Sequence, residues 1–461
     1  MATDQRSKDG LSLFQERLWL TDKMASGRST QCYQRCYQLR GQLDHEIFKM
    51  AISKFVGRHA ILRSCFVMED GGLRRMPCEP PLVRDFDLSA MDEPKRSELV
   101  RKLATQLVEQ ELDISRFAPV RFALVRLEQE VTLFFVVSHH IAFDAPSEAI
   151  LTDEISELYN AELIGALSLL DPNPVQYSEY VAWQAANRDG DTVRKGIEFW
   201  RAEFGRPFPA LHVPAEHRPK AIGGEQAEAE CWIRGTLDQA KFSELRSAAR
   251  GYRSSPFALL LAAFAIALCR YYSVLEIGIG TACSDRIRKE FARSIGPMIN
   301  TVLVRLSLGA GETVGEFVER AGKASQQAIA YQGVPFEFAA RERLKNGEVS
   351  HMETFQALIL HQSEVAPNLR LVDVEVELHL VDPRPSDAHV TLYTVQREGG
   401  LDWMVHYDPQ RFSRAGGEHL AAKWLEALDW IATSPHDRVK LGDDGLVLDL
   451  PRSPSNSASV I

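Results

Sequence analysis

Apolar and polar positions along the chain fall into alternating helical and strand patterns. Ser12 followed three residues later by Gln15 has the spacing of a capping box and predicts a helix opening in the segment LSLFQERLWL. From Asp44 onward, Ile47, Met50, Ala51, Ile52 and Phe55 recur near the helical period, and Gly57 ends the pattern ahead of a strand expected over 61–67. Residues 131–137 (VTLFFVV) are almost wholly apolar and rich in β-branched and aromatic types, as in a central strand buried on both faces. A short loop and an amphipathic helix follow, marked by Leu151, Ile155, Leu158 and Tyr159, with Pro146 tolerated in its first turn. The second half repeats the mixture, with helices expected over 256–272 and 314–332 and strands over 274–281 and 301–306. Between the halves, residues 187–224 are rich in charge, glycine and proline. That composition predicts an N-terminal lobe over 1–190, a connection over 191–222, a C-terminal lobe over 223–447 and a disordered tail over 448–461.

A length of 461 residues exceeds one ordinary core and agrees with two domains. Hydrophobic residues at 45% and charged residues at 25% exclude a fibrous or disordered chain, and the formal charge of −10 argues against a nucleic-acid partner. The opening MATDQRSKDG is polar, which predicts a cytoplasmic protein with no membrane association. The longest apolar run, 256–269, falls short of the roughly 20 residues a bilayer needs and suits a core helix. Seven cysteines are scattered, and Cys32 and Cys36 simply share a face of one strand. The sequence has no Gly-x-Ser-x-Gly elbow, metal-ligand cluster or phosphate-cradling glycine loop, so neither an acyl-enzyme serine nor ATP-driven activation is expected, and no bound cofactor or metal.

The chemistry concentrates where the buried strand ends. His139 and His140 are adjacent, Asp144 follows four residues later, and neighbouring strand residues point to opposite faces, so one histidine serves a cleft and the other the interior. A histidine on a rigid strand end suits general-base work because its pKa of about 6.5 lies near working pH. Taken alone, the same residues also fit a solvated loop, with Asp144 capping the next helix.

The segment SHHIAFDA resembles the HHxxxDG signature of the condensation, epimerisation and chloramphenicol-acetyltransferase-like superfamily, and further segments resemble that family's motifs in the same order. They are LSLFQERLWL, RHAILRSCF with Ala60 where a glutamate is usual, YSEYVAWQ, SIGPMINTVLVR, YQGVPFE and ETFQALIL. The resemblance implies an α/β (α+β) fold of two chloramphenicol-acetyltransferase-like lobes in a V-shaped pseudo-dimer with a central tunnel. It implies a free-standing acyltransferase in natural-product biosynthesis with His140 as its catalytic residue, His139 structural, and Asp144 holding the loop through a salt bridge to Arg286. Ala145 stands where the family has glycine. If that position needs positive φ, alanine costs on the order of 1 kcal/mol while its N–H stays available to an oxyanion. Asn300 and Thr301 are further oxyanion or tunnel candidates, with a turn at a strand start as the alternative.

The implied donor is a thioester on the phosphopantetheine arm of an acyl or peptidyl carrier protein, and the implied acceptor is a small-molecule amine or alcohol. Arg286, Arg288, Lys289 and Arg293 are a candidate basic patch for an acidic carrier. Alternatives are a polyketide-associated O-acyltransferase and a non-catalytic condensation-like domain that recruits partners. Epimerisation is disfavoured, because the second half lacks the additional acidic motif of such domains.

Overall fold

The computed structural model describes residues 10–24, 32–69, 72–109, 113–187, 190–206, 208–219, 231–334, 356–362, 369–379, 388–397 and 399–439. In chain order the elements of the first half are α1 (Leu13–Met24), β1 (Cys32–Gly41), α2 (His45–Arg58), β2 (Ser64–Glu69), β3 (Gly72–Pro77), β4 (Val83–Asp87), α3 (Lys95–Glu109), β5 (Val120–Glu128), β6 (Val131–His139), α4 (Ala145–Leu163) and α5 (Tyr177–Ala186). Those of the second are α6 (Asp191–Phe204), β7 (Trp232–Asp238), α7 (Gln239–Gly251), α8 (Pro256–Tyr272), β8 (Glu276–Ser284), β9 (Ile299–Ser307), α9 (Val314–Ala330), β10 (Ala357–Gln362), β11 (Val374–His379), β12 (Val390–Arg397), β13 (Gly400–Tyr407) and α10 (Arg414–Thr433).

The first compact unit comprises Met1–Gly190, Ser284–Ile299 and Pro367–Arg384. Its sheet runs β11-β1-β6-β5-β4, with β6 in the middle. Neighbours on both edges satisfy the backbone of β6, and residues 132–139 are all buried, as an uninterrupted apolar strand requires. Antiparallel pairing sets Cys32 opposite His139 and Tyr33 opposite Ser138. The unit's core includes Phe48, Phe55, Phe122, Phe134, Leu151, Ile155 and Tyr159. The second unit comprises Asp191–Cys283, Asn300–Ala366 and Pro385–Ile461, with a mixed sheet ordered β7-β13-β12-β10-β8-β9. Its α8 is buried along almost its whole length and packs against α9 and α10. No single helix among the described residues is long and apolar enough to cross a membrane.

The division differs from the contiguous one expected from composition. Residues 284–299 and 367–384 leave the expected C-terminal lobe and pack with the first unit, where β11 pairs with β1 from Cys36 to Gly41. Nor is 191–222 a linker throughout. Its first part is α6, whose Val193, Ile197, Trp200 and Phe204 pack on the second core while Arg194, Glu198 and Arg201 carry the charge that mimics a connection. The strand expected over 61–67 begins at Ser64, because residues 60–63 form a tight 3-10 turn. The strand expected over 274–281 begins at Glu276, after Ser273 closes α8 in the left-handed conformation at φ 54°. The expected tail over 448–461, the end of YQGVPFE and the start of ETFQALIL lie outside the described residues.

Candidate active site

The strand carrying the histidines stops at His139, and His140 is the first residue of the turn that leads into α4. His139 is fully buried and its Nδ1 accepts the Ile141 N–H at 3.0 Å, so the ring proton sits on Nε2. His140 has the opposite tautomer. Its Nδ1 lies 3.1 Å from the carbonyl oxygen of Phe143, which can only accept, so Nδ1 carries the proton and Nε2 presents a lone pair. Part of the His140 surface stays accessible, yet desolvation by the surrounding protein lowers its pKa below the ordinary 6.5 and keeps the ring neutral near pH 7.

The turn is tied down from the start of the chain. Gln15 Nε2 donates to the Ile141 carbonyl at 2.8 Å, while Gln15 and Ser12 form the reciprocal capping bonds at 3.1 and 3.2 Å. Tyr177, from the YSEYVAWQ segment, places its hydroxyl 2.8 Å from Ser12 Oγ. In RHAILRSCF, Arg58 and His59 both meet Glu154 of α4, at 2.8 and 2.9 Å. Ala60, at the site of the missing glutamate, donates its N–H to Gln176 at 2.9 Å.

Asp144 is fully buried and caps α4, accepting from the Ser147 N–H at 3.0 Å and the Ser147 hydroxyl at 2.6 Å. The structure brings Arg286 onto the same carboxylate as a fork, Nη1 to Oδ2 at 2.6 Å and Nη2 to Oδ1 at 2.9 Å, and the Met298 N–H adds a bond to Oδ2 at 3.0 Å. Both oxygens are fully engaged as acceptors, the arrangement of a structural anchor. Gly296 belongs to this anchor. At φ 149° it favours glycine, and a Cβ there would lie 2.1 Å from the Tyr177 ring.

The structure bears on three further expectations. Ala145 is the first residue of α4 and is not among the positive-φ residues, so the conditional strain at this position does not arise. It is exposed, and its N–H is one of the unpaired donors of a helix start. Asn300 is not an oxyanion donor, because its amide donates to the carbonyls of Gln332 at 2.6 Å and Val334 at 2.8 Å. Its oxygen receives the Thr301 N–H at 2.9 Å, so Asn300 ties the start of β9 to residues 332–334 within the second unit. Of the candidate basic patch, Arg286 is buried on Asp144, while Arg288, Lys289 and Arg293 are exposed, Arg288 beside Glu290 and Arg293 2.9 Å from Asp153.

Sequence reasoning missed a polar cluster around Glu148, where Tyr33, Arg35 and Tyr37 of β1 meet the first turn of α4. The alternation Tyr-x-Arg-x-Tyr on a strand was the available signal, since residues two apart share a face.

The family model described as "Condensation domain" matches residues 6–442 of the chain. A chain of the linear gramicidin synthase of Brevibacillus parabrevis is 26% identical over 439 residues, covering 94% of this chain but only 8% of that protein. The structure is similar to the condensation domain of the Monacolin K polyketide synthase MokA, with a TM-score of 0.80 at 18% identity, covering 93% of this chain and 98% of that one. It is also similar to the X-domain solved in complex with OxyB from teicoplanin biosynthesis, with a TM-score of 0.77 at 22% identity, covering 93% and 94% of the two chains.

Proposed function

Since the chain belongs to the condensation-domain family and has its chloramphenicol-acetyltransferase-like fold, we propose that it is an acyltransferase that moves an acyl group from a carrier-protein phosphopantetheine thioester onto an amine or alcohol acceptor. The product is an amide or an ester of a natural product, and His140 is the catalytic residue. The observation that carries this reading is the His140 tautomer: a neutral, partly accessible imidazole with Nδ1 tied to Phe143 and Nε2 free to take a proton.

In the proposed reaction the acceptor's nitrogen or oxygen attacks the thioester carbonyl and Nε2 takes the nucleophile's proton. The tetrahedral intermediate then expels the thiolate sulfur, which receives the proton from the imidazolium. The N–H of Ala145, an exposed residue at the start of α4, is the proposed oxyanion donor. His139, Asp144 and Arg286 hold the turn and touch no reactant. The phosphopantetheine belongs to the carrier and is substrate here. Synthetases among the relatives support the carrier-bound donor, although this chain spans only 8% of the length of the gramicidin synthase chain.

The test supplies an acyl-loaded carrier or acyl-pantetheine thioester with matched amine and alcohol acceptors and measures product and thiol release. A second reading, a condensation-like domain that recruits a partner protein, is favoured by the X-domain, whose solved complex contains OxyB. Under that reading His140→Ala leaves partner binding intact and there is no turnover to lose.

A further inference from the structure

Tyr33, Arg35 and Tyr37 alternate along β1 and so project to one face of it. All three converge on Glu148: the Tyr33 hydroxyl donates to Oε2, the Tyr37 hydroxyl to Oε1 at 2.6 Å, and Arg35 Nε to Oε1 at 2.9 Å. Glu148 is 2% exposed. Replacing a buried ion pair with apolar side chains of similar volume is often neutral or stabilising, so stability gives no reason for this cluster at a strand–helix interface.

Its position gives one. Tyr33 lies opposite Ser138 across the β1–β6 pairing, and opposed residues share a face, the face that leads to His140. The Tyr33 ring meets the His140 ring edge-on at 5.8 Å, and the Arg35 guanidinium carbon lies 4.3 Å from the Tyr33 centroid, so one aromatic ring links cation and imidazole. Arg35 keeps 23% of its side chain exposed. Its Nη1 donates to the Gln34 carbonyl at 3.0 Å, while Nη2 has no acceptor among the described residues. The buried Ser138 hydroxyl also has no partner among them.

We infer that Arg35 is a specificity-determining residue that binds, through its Nη2 edge, the carboxylate of a reactant whose reacting centre lies at His140 Nε2. The inference rests on the acyl-transfer reading above. Glu148 and the two tyrosines fix the guanidinium plane, which is what a planar, charge-assisted contact of about 2.8 Å to a carboxylate needs. An α-amino or α-hydroxy acid carries its nucleophile on the carbon next to the carboxylate, so anchoring one end at Arg35 delivers the other toward the imidazole. A dicarboxylic acyl donor offers the same group on the other reactant.

The test assays thiol release from acetyl-, octanoyl-, succinyl- and glutaryl-pantetheine with the twenty free L-amino acids and their primary carboxamides as acceptors. Calorimetry measures binding of the same acceptors and donors independently. Wild type is expected to favour the carboxylate form of one reactant by about 10- to 100-fold in kcat/KM, the range of a charge-assisted hydrogen bond. Preference for amino acids over their amides assigns the carboxylate to the acceptor; preference for succinyl or glutaryl over acetyl assigns it to the donor. Arg35→Met is expected to abolish the preference chiefly through KM, and Arg35→Lys to keep part of it. Because Arg35→Met strands the Glu148 carboxylate, the double variant Arg35→Met/Glu148→Gln is measured beside it, with thermal unfolding of each. His140→Ala should lose turnover and retain carboxylate-dependent binding, so binding reports on Arg35 even where acyl transfer fails. The inference is overturned by a wild type with no carboxylate preference in either turnover or binding, or by a folded Arg35→Met variant that keeps the preference.

Discussion

The Phe143 carbonyl holds Nδ1 of His140 and leaves Nε2 as the proposed proton acceptor, and the burial that lowers the ring's pKa sets the pH range proposed for it. Removing the imidazole with His140→Ala is expected to cut turnover by about 10² to 10⁴ with little change in melting temperature, the usual range for a general base. His139→Ala should instead lower the melting temperature, because that ring is fully buried and holds the Ile141 N–H. Equal activity losses in two well-folded variants would contradict these assignments. The lowered pKa fixes a direction as well. His140 stays neutral on acidification past the ordinary value, so the acid limb of kcat/KM should lie below about pH 6.5, and a limb above it would contradict the desolvated setting. For stability, this histidine's contribution is present above about pH 6.5 and is lost as pH falls from there through its lower folded pKa. The pair and its spacing to Asp144 were plain in the sequence. The tautomers were not, because each depends on a backbone atom whose position only the folded turn sets. Arg35 and Glu148 lie 113 residues apart and had no local pattern to join them.

The turn and α4 are held by Asp144, which does two jobs the sequence offered as alternatives: it caps the helix and it pairs with Arg286. Removing one member of a buried pair costs about 3–5 kcal/mol, so Asp144→Ala and Arg286→Ala should each depress the unfolding midpoint strongly. The Asp144→Ala/Arg286→Ala double variant should be less unstable than the sum, since neither charge is then left alone. A fully stable but inactive Asp144→Ala protein would contradict the anchoring role. Gly296→Ala should cost about 1–3 kcal/mol through overpacking against Tyr177, and urea unfolding would measure it. Long periodic elements such as α8 were readable from sequence, as was the capping pair Ser12 and Gln15. The charged helix α6 was not, because its apolar stripe at Val193, Ile197, Trp200 and Phe204 is thin against the surrounding charge.

Two cores were foreseeable from length, but not the exchange of segments between halves, because β1 and β11 pair across more than three hundred residues without a local signal. That exchange places Arg286 in the same unit as Asp144, so the site's scaffold is complete within one unit although its residues come from both halves of the chain. With no phosphate-cradling loop in the sequence, the purified protein should release no product from a free acid and ATP, and mass spectrometry of such a mixture is a direct check. An alcohol needs its proton removed during attack, whereas an amine can lose it afterwards, so ester formation should depend more on His140 than amide formation does. The most direct measurement is therefore single-turnover acyl transfer from one acyl-loaded carrier protein to matched amine and alcohol acceptors, by wild type and His140→Ala. Base catalysis at His140 predicts product from wild type and a loss of about 10² to 10⁴ in the variant, larger for the alcohol. Equal rates for the two proteins, or a folded wild type that binds the carrier and transfers nothing to either acceptor, would contradict it.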